Sequence, residues 1–167
     1  MNIKPTICAV NHIGKGLLCV MPLPRYPATS LPYLRAYGLD KLVCLLEASE
    51  IDEFNMQQEA SMCRQVGIKF EQFPIADGGV PANKQAFRQL VRQLHNELKA
   101  GATMGIHCLA GIGRTGILAA CILVEDGYEI ETALELLKKA RGFPMPESET
   151  QYDFIWEYKY GPSPLLI

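Results

Sequence analysis

Between Ile106 and Gly116 the chain reads I-H-C-L-A-G-I-G-R-T-G, and this stretch limits the possible folds more than any other. An apolar run, Met104 to Ile106, enters a glycine-rich turn, and a second apolar run, Ile117 to Val124, leaves it. The turn therefore sits where a strand hands over to a helix N-terminus, an arrangement whose unpaired amides and dipole favour an anion. Gly111 and Gly113 supply the backbone freedom that a tight concave loop requires. Strand and helix signals alternate from Lys41 to Val124, which predicts an α/β domain with a mostly parallel sheet. In such sheets ligands bind at the carboxyl ends of strands.

Cys108 opens the turn and Arg114 closes it. A thiol facing converging amides and a guanidinium loses its proton readily, because both favour the thiolate. Such surroundings bring a cysteine from about 8.5 to about 3.5–7.5. Arg114 presents a planar fork that matches two phosphate oxygens, as a lysine point charge would not. Thr115 follows, with a hydroxyl placed to hydrogen-bond the sulfur and help it leave a covalent intermediate.

His107-Cys108, five residues, then Arg114-Thr115 resembles the H-C-x5-R-[S/T] signature of the cysteine-dependent protein phosphatases, tyrosine-specific and dual-specificity. A second string, Phe73-Pro74-Ile75-Ala76-Asp77-Gly78-Gly79-Val80-Pro81, is an irregular loop by its prolines and glycines. Read from its residues alone, Asp77 is either a turn former before Gly-Gly or a catalytic carboxylate. The string is, however, similar to the general-acid loop P-I-x-D-G-G-x-P of the kinase-associated phosphatase (cyclin-dependent kinase inhibitor 3) family and of compact prokaryotic phosphatases. That resemblance implies a protein tyrosine phosphatase-like fold of the dual-specificity type, covering about residues 17–158.

It also implies roles. Cys108 would be the nucleophile, residues Leu109, Ala110, Gly111, Ile112, Gly113 and Arg114 the phosphate cradle, and Asp77 the general acid. Thr115 would support the returning thiolate, and His107 would support the loop. Glu50, after the strand at Lys41–Leu46, would steady Arg114 as family members place a glutamate there; read as a residue alone, it is a helix-dipole complement, as acidic residues in a first turn usually are. Gln151 would orient the hydrolytic water, or would simply be an exposed helix residue. The implied reaction needs no cofactor and no metal.

Composition narrows the alternatives. The 167 residues are 49% hydrophobic, enough for one domain with a sizeable core. Sixteen basic and eighteen acidic residues leave a net charge of −2, so no global field draws nucleic acid or anionic membrane, and attraction for phosphate must be local. The six cysteines, at 8, 19, 44, 63, 108 and 121, are scattered without a C-x-x-C pair or a histidine at ligand spacing. Disulfides and a zinc site are not expected, and a reducing, cytoplasmic compartment is. Whether Cys44 or another thiol pairs with an oxidised Cys108 stays open. No run reaches the roughly 18 apolar residues of a membrane span.

The remaining elements follow from caps and periodicity. Ile7–Val10 and Leu17–Val20 read as a hairpin, with His12 in its turn. Thr29 or Ser30 caps a short helix ended by Gly38, and a helix runs from about Glu53 to Gln65, stopped by Gly67. Ile68–Phe73 reads as a strand. Asn83 caps a helix bearing Phe87, Leu90, Val91, Leu94 and Leu98 on one face, with His95 at its margin as a structural residue. Thr103–His107 delivers the phosphate loop. Ile130, Ala133, Leu134 and Leu137 mark another helix, and Ser148 or Thr150 caps a last one through about Tyr158, followed by a tail over 161–167.

The expectation is a single domain over 1–167, a monomer, hydrolysing a phosphorylated protein substrate, a kinase included. Phosphotyrosine is favoured, with or without phosphoserine and phosphothreonine. Leu109 and Ile112 are apolar where phosphoinositide phosphatases often carry lysine, so phosphoinositides and small phosphomonoesters are the alternative. A rhodanese-like sulfurtransferase, which has no use for Asp77, and a non-catalytic phospho-dependent or kinase-binding module are the competitors from other classes.

Overall fold

The computed structural model describes residues 4–162, so the last five residues of the expected tail lie outside the described part. A five-stranded sheet forms the centre, in the order β1-β2-β5-β3-β4. Its strands are β1 (Cys8–Ile13), β2 (Gly16–Met21), β3 (Lys41–Cys44), β4 (Lys69–Gln72) and β5 (Thr103–His107). Only the edge hairpin β1–β2 is antiparallel; β2–β5, β5–β3 and β3–β4 are parallel. The helices are α1 (Pro27–Tyr37), α2 (Ala48–Glu53), α3 (Glu59–Val66), α4 (Lys84–Lys99), α5 (Gly113–Glu125), α6 (Ile130–Arg141) and α7 (Glu149–Tyr160). Among the described residues no helix is long and apolar enough to cross a membrane.

Successive strand residues point to opposite faces, and the sequence uses both. Val20, Val43, Met104 and Ile106 join the large core formed with Phe87, Leu94 and Leu98 of α4 and with the apolar length of α5. Met21, Leu39 and Leu42 face the other way, toward Leu31 and Leu34 of α1 and Cys63 of α3. Gly105 falls on this second face, where a Cβ would come within 3.2 Å of both Leu39 and Met21. α5 is wrapped by α4, α6 and α7, which explains why its residues from Gly113 to Leu123 are all buried.

Several boundaries differ from the expectations. The hairpin turn closes to Gly14-Lys15, so His12 lies in β1 opposite Leu17 and is not a turn residue. Neither Thr29 nor Ser30 caps α1: the chain enters through Tyr26 at φ 59° with Pro27 in the first turn, and the Ser30 hydroxyl donates to the Arg25 carbonyl. The helix expected over 53–65 is helical only from Glu59: a separate helix, α2, ends at Glu53, the chain turns through Asn55 at φ 56°, and α3 begins at Glu59. Asn83 does cap α4, its side-chain oxygen accepting from Ala86 N at 2.9 Å, and Ser148 caps α7 by accepting from Gln151 N at 3.2 Å. His95, as expected, is structural, with Nε2 2.9 Å from Asp126 Oδ1.

Candidate active site

β5 ends at His107, and the chain from Cys108 to Ile112 curls over the carboxyl end of the sheet before α5 begins at Gly113. The two glycines of the turn act differently. Gly111 has φ 72°, and a Cβ there would meet Met21 O at 2.4 Å, so both conformation and space exclude a side chain. Gly113 has no positive φ; it makes room, since a Cβ would lie 2.8 Å from Glu147 Oε2 and 3.1 Å from Gln151 Nε2. The first amides of α5 have no side-chain cap, so they remain donors for an anion. Leu109 and Ile112 pack sideways into apolar clusters and Ala110 is exposed, its carbonyl accepting from Arg141 at 2.8 Å.

Cys108 is 3% exposed at the base of this loop, and Thr115 Oγ1 donates to its sulfur across 3.1 Å. Arg114 is 2% exposed and held along one edge: its two terminal nitrogens donate to both oxygens of Glu50 at 2.8 Å each. It also donates to the Ile75 carbonyl at 2.9 Å and to Asp77 Oδ1 at 3.2 Å. Burial alone would lower the Arg114 pKa, but the Glu50 hydrogen bonds and the nearby negative groups reverse it, so the guanidinium stays charged. In Glu50 burial pushes the pKa upward, and Arg114 with the Glu47 amide pulls it back below the ordinary 4.5. That amide donates to Glu50 Oε2 at 2.9 Å, which ties the start of α2 to the phosphate loop.

Asp77 lies on the loop between β4 and α4 with a 70% exposed side chain. The loop is fastened on either side of it: Arg114 holds the Ile75 carbonyl, and Gln151 Nε2 donates to the Gly79 carbonyl at 3.1 Å. Gln151 is fully buried, with Oε1 accepting from Glu147 N at 3.1 Å. It is therefore not the exposed helix residue that its type allowed, and its amide lies beside Gly113.

His107 lies under the loop with Nδ1 2.9 Å from the Cys108 carbonyl and Nε2 2.9 Å from Glu59 Oε1, the pair being 0% and 2% exposed. Burial works against the imidazolium, but Glu59 and Cys44 more than offset it and raise the pKa well above 6.5. Glu59, the first residue of α3, was missed in the sequence, where it falls inside a continuous helical reading. Glu147 was missed too. The sheet brings Cys108, Arg114, Thr115, Asp77, Glu50, Gln151 and His107 to one end of the molecule, from six different elements or loops.

The six cysteines are free thiols, and all but Cys8 are buried. Burial pushes Cys19 up to about 11 and Cys63 up to about 12, in keeping with core residues.

A family profile described as "Polymorphic toxin system, DSP-PTPase phosphatase" matches residues 22–128. The chain is 27% identical over 128 residues to human "Cyclin-dependent kinase inhibitor 3", covering 75% of this chain and 60% of that protein. It is 33% identical over 96 residues to "Probable protein tyrosine phosphatase type IVA B" of Dictyostelium discoideum, covering 56% of this chain and 58% of that one. The chain thus spans about 60% of the length of these relatives. Its fold is similar to a crystal structure of kinase associated phosphatase whose catalytic-site cysteine is replaced by serine. The TM-score is 0.82 at 23% identity, over 96% of this chain and 97% of that one. On the match over residues 22–128, which contain both the acid loop and the H-C-x5-R-T turn, the chain belongs to the family of DSP-PTPase phosphatases.

Proposed function

We propose that this protein hydrolyses phosphate monoesters of phosphorylated proteins, phosphotyrosine foremost, through a cysteinyl-phosphate formed on Cys108. The observation that carries this reading is one constellation: a buried sulfur receiving a hydroxyl bond from Thr115, at the mouth of a helix whose Arg114 is gripped by Glu50 and reaches Asp77.

In the first step the Cys108 thiolate attacks phosphorus in line with the ester oxygen. The loop amides and Arg114 hold the three equatorial oxygens, where charge is spread in the transition state. Glu50 leaves one edge of the guanidinium for phosphate by occupying the other. Asp77 in its acid form gives a proton to the departing phenol or alcohol oxygen as the S–P bond forms and the P–O bond breaks. Its exposed position suits a group that must meet the leaving group at the rim and not at the base. Arg114 holds Asp77 Oδ1 at 3.2 Å, and a substrate phosphate would compete for that same guanidinium nitrogen.

In the second step Asp77 as carboxylate accepts a proton from water, which attacks phosphorus from the side the alcohol left. In this reading Gln151 orients that water, supported by its amide lying beside Gly113 and bonding the Gly79 carbonyl of the acid loop. The S–P bond breaks, the thiolate returns to the Thr115 hydroxyl, and phosphate departs. Backbone dipoles and one guanidinium supply the electrostatics. Asp77 at Arg114 favours this reaction over sulfur transfer, which calls for no proton donor to an alcohol. The free cysteines support operation in a reducing, cytoplasmic compartment.

A panel of phosphotyrosyl, phosphoseryl and phosphothreonyl peptides, phosphoinositides and mononucleotides tests the proposal. The expected order places phosphotyrosyl peptides first in kcat/KM. Preference for an inositol lipid or a nucleotide overturns the protein-substrate reading, and absence of turnover on every member overturns catalysis.

A further inference from the structure

The side chains beneath the phosphate loop include a set that the phosphatase chemistry does not use. β3 and β5 pair so that Cys44 is opposite His107, and strand alternation turns both toward the face covered by α3. The first residue of α3 is Glu59. The Cys44 sulfur, a Glu59 carboxylate oxygen and a His107 ring nitrogen lie within 4.8 Å of one another, and all three residues are buried. Glu59 Oε2 has no hydrogen-bond partner among the described residues, although Glu59 is only 2% exposed. A buried carboxylate oxygen without a partner is costly, and here it belongs to the same carboxylate that faces the histidine.

We propose that Cys44, Glu59 and His107 form a site for a thiophilic divalent cation, Zn2+ by its donor set, on the α3 face of the sheet beneath the phosphate loop. One sulfur, one imidazole nitrogen and a carboxylate are ligands zinc accepts. Glu59 binding through both oxygens completes four-coordination and occupies the orphaned Oε2. Bonds of about 2.3 Å to sulfur and about 2.0–2.2 Å to nitrogen and oxygen put ligand atoms from different residues roughly 3.3–3.6 Å apart at near-tetrahedral angles. The Nε2 to Oε1 separation of 2.9 Å has to open by a few tenths of an ångström, and the sulfur has to approach by up to about 1.2 Å.

The histidine is already oriented. A carbonyl only accepts, so the Nδ1 that faces the Cys108 carbonyl is an N–H donor, and Nε2 is the nitrogen that remains for a metal. Metal-ligating histidines are commonly fixed by such a bond from the other nitrogen. With Nε2 also facing a carboxylate oxygen, the metal-free ring carries both protons. Zn2+ entry releases the Nε2 proton and the Cys44 thiol proton to solvent and forms metal–nitrogen, metal–sulfur and metal–oxygen bonds, with no electron transferred. The set is neutral before, as imidazolium, carboxylate and thiol, and neutral after, as Zn2+, imidazole, carboxylate and thiolate. No net charge is brought into the core, so the exchange avoids the penalty of an uncompensated buried ion.

The test uses the Cys108→Ser form of this 167-residue chain, which removes the loop thiol as a competing ligand. The protein is freed of metal with a chelator and loaded with Co2+, both as folded protein and by refolding in its presence. The expected result is one equivalent of Co2+ with a thiolate-to-cobalt charge-transfer band, displaced by Zn2+, and a rise in Tm with Zn2+. Adding Cys44→Ala removes the band and the Tm rise. Glu59→Gln, which keeps the side-chain shape, weakens Zn2+ binding by about tenfold or more. No band under either loading, or a band that survives Cys44→Ala, overturns the proposal.

Discussion

The two halves of the candidate site are built to opposite specifications. The phosphate loop is fixed before any substrate arrives: Cys108 and Arg114 are 3% and 2% exposed, and Arg114 makes four hydrogen bonds to Glu50, Ile75 and Asp77. The acid loop leaves Asp77 70% exposed with a single contact at 3.2 Å, and it has no regular structure between β4 and α4. The difference matches what the proposed reaction would ask of each half. Stabilising charge works best with dipoles that need not reorganise, whereas a proton donor has to meet leaving groups of different size and so belongs on a loop at the rim.

The largest effect should come from removing the sulfur from the rigid half. Cys108→Ser is expected to lower kcat on an aryl phosphate by at least about 10^4-fold, while phosphate or vanadate still binds, because the amides and Arg114 remain. Steady-state kinetics together with isothermal titration checks both parts. Turnover near wild type would remove Cys108 from the nucleophile role, and loss of oxyanion binding would mean the cradle depends on the sulfur.

Asp77→Asn probes the exposed half and is expected to act selectively. Esters with poor leaving groups should slow by about 10^2–10^4-fold, and those with good leaving groups, which depart without a proton, should slow far less. A series of aryl phosphates of graded phenol acidity reads this directly. Equal slowing across the series would make Asp77 a structural neighbour of Arg114 and erase the division of labour between the halves.

That division is also where the sequence was most and least readable. The phosphate loop is a contiguous string whose residue types and spacing state its chemistry, and β5, α4 and the caps at Asn83 and Ser148 follow from local rules. Glu59 gave no local signal: its partner His107 lies 48 residues away and the two meet only because α3 covers one face of the sheet. Cys44 joins them by strand register alone, which explains why no metal-ligand spacing shows in the chain. The single helix expected over 53–65 failed because apolar periodicity does not register one residue, Asn55, in a left-handed conformation. Gln151 was legible by position but not by environment, since its burial depends on Gly79 and Glu147 arriving from other parts of the fold.

Glu50 anchors Arg114, the residue that joins the two halves, and its replacement should be felt as stability before chemistry. Glu50→Gln keeps the size but loses the charge facing Arg114, with an expected cost of about 1–3 kcal/mol in ΔG of unfolding. The pH dependence has a definite sign. Because the folded pKa of Glu50 is lowered from 4.5, its contribution is fully present above that value and is lost as pH falls through the folded pKa. Glutamine has no such dependence, so the gap between wild type and variant should be widest near neutral pH and narrow below about pH 4.5. Urea unfolding at several pH values measures it. A gap independent of pH would assign the cost to packing and not to the ion pair.

The smallest effect separates the halves most finely. Gln151→Ala removes the bond to Gly79 O, which restrains the acid loop, and the bond from Glu147 N, which restrains the approach to α7. Two neutral hydrogen bonds at about 1 kcal/mol each bound the loss of stability near 2 kcal/mol. Because Arg114, Thr115 and Cys108 make no contact through Gln151, oxyanion binding should stay unchanged. The two chemical steps should respond differently. Phosphorylation of Cys108 uses Asp77 and the leaving group and needs no water, so its rate should change little. Under the proposed mechanism, hydrolysis of the cysteinyl-phosphate uses a water oriented by Gln151, so phosphoenzyme should accumulate in the variant. Rapid mixing with a good aryl phosphate distinguishes the cases: a burst of phenol followed by a slower steady state is expected. A proportional slowing of both phases with no burst would place Gln151 with the loop's anchorage alone, leaving the water to some other group.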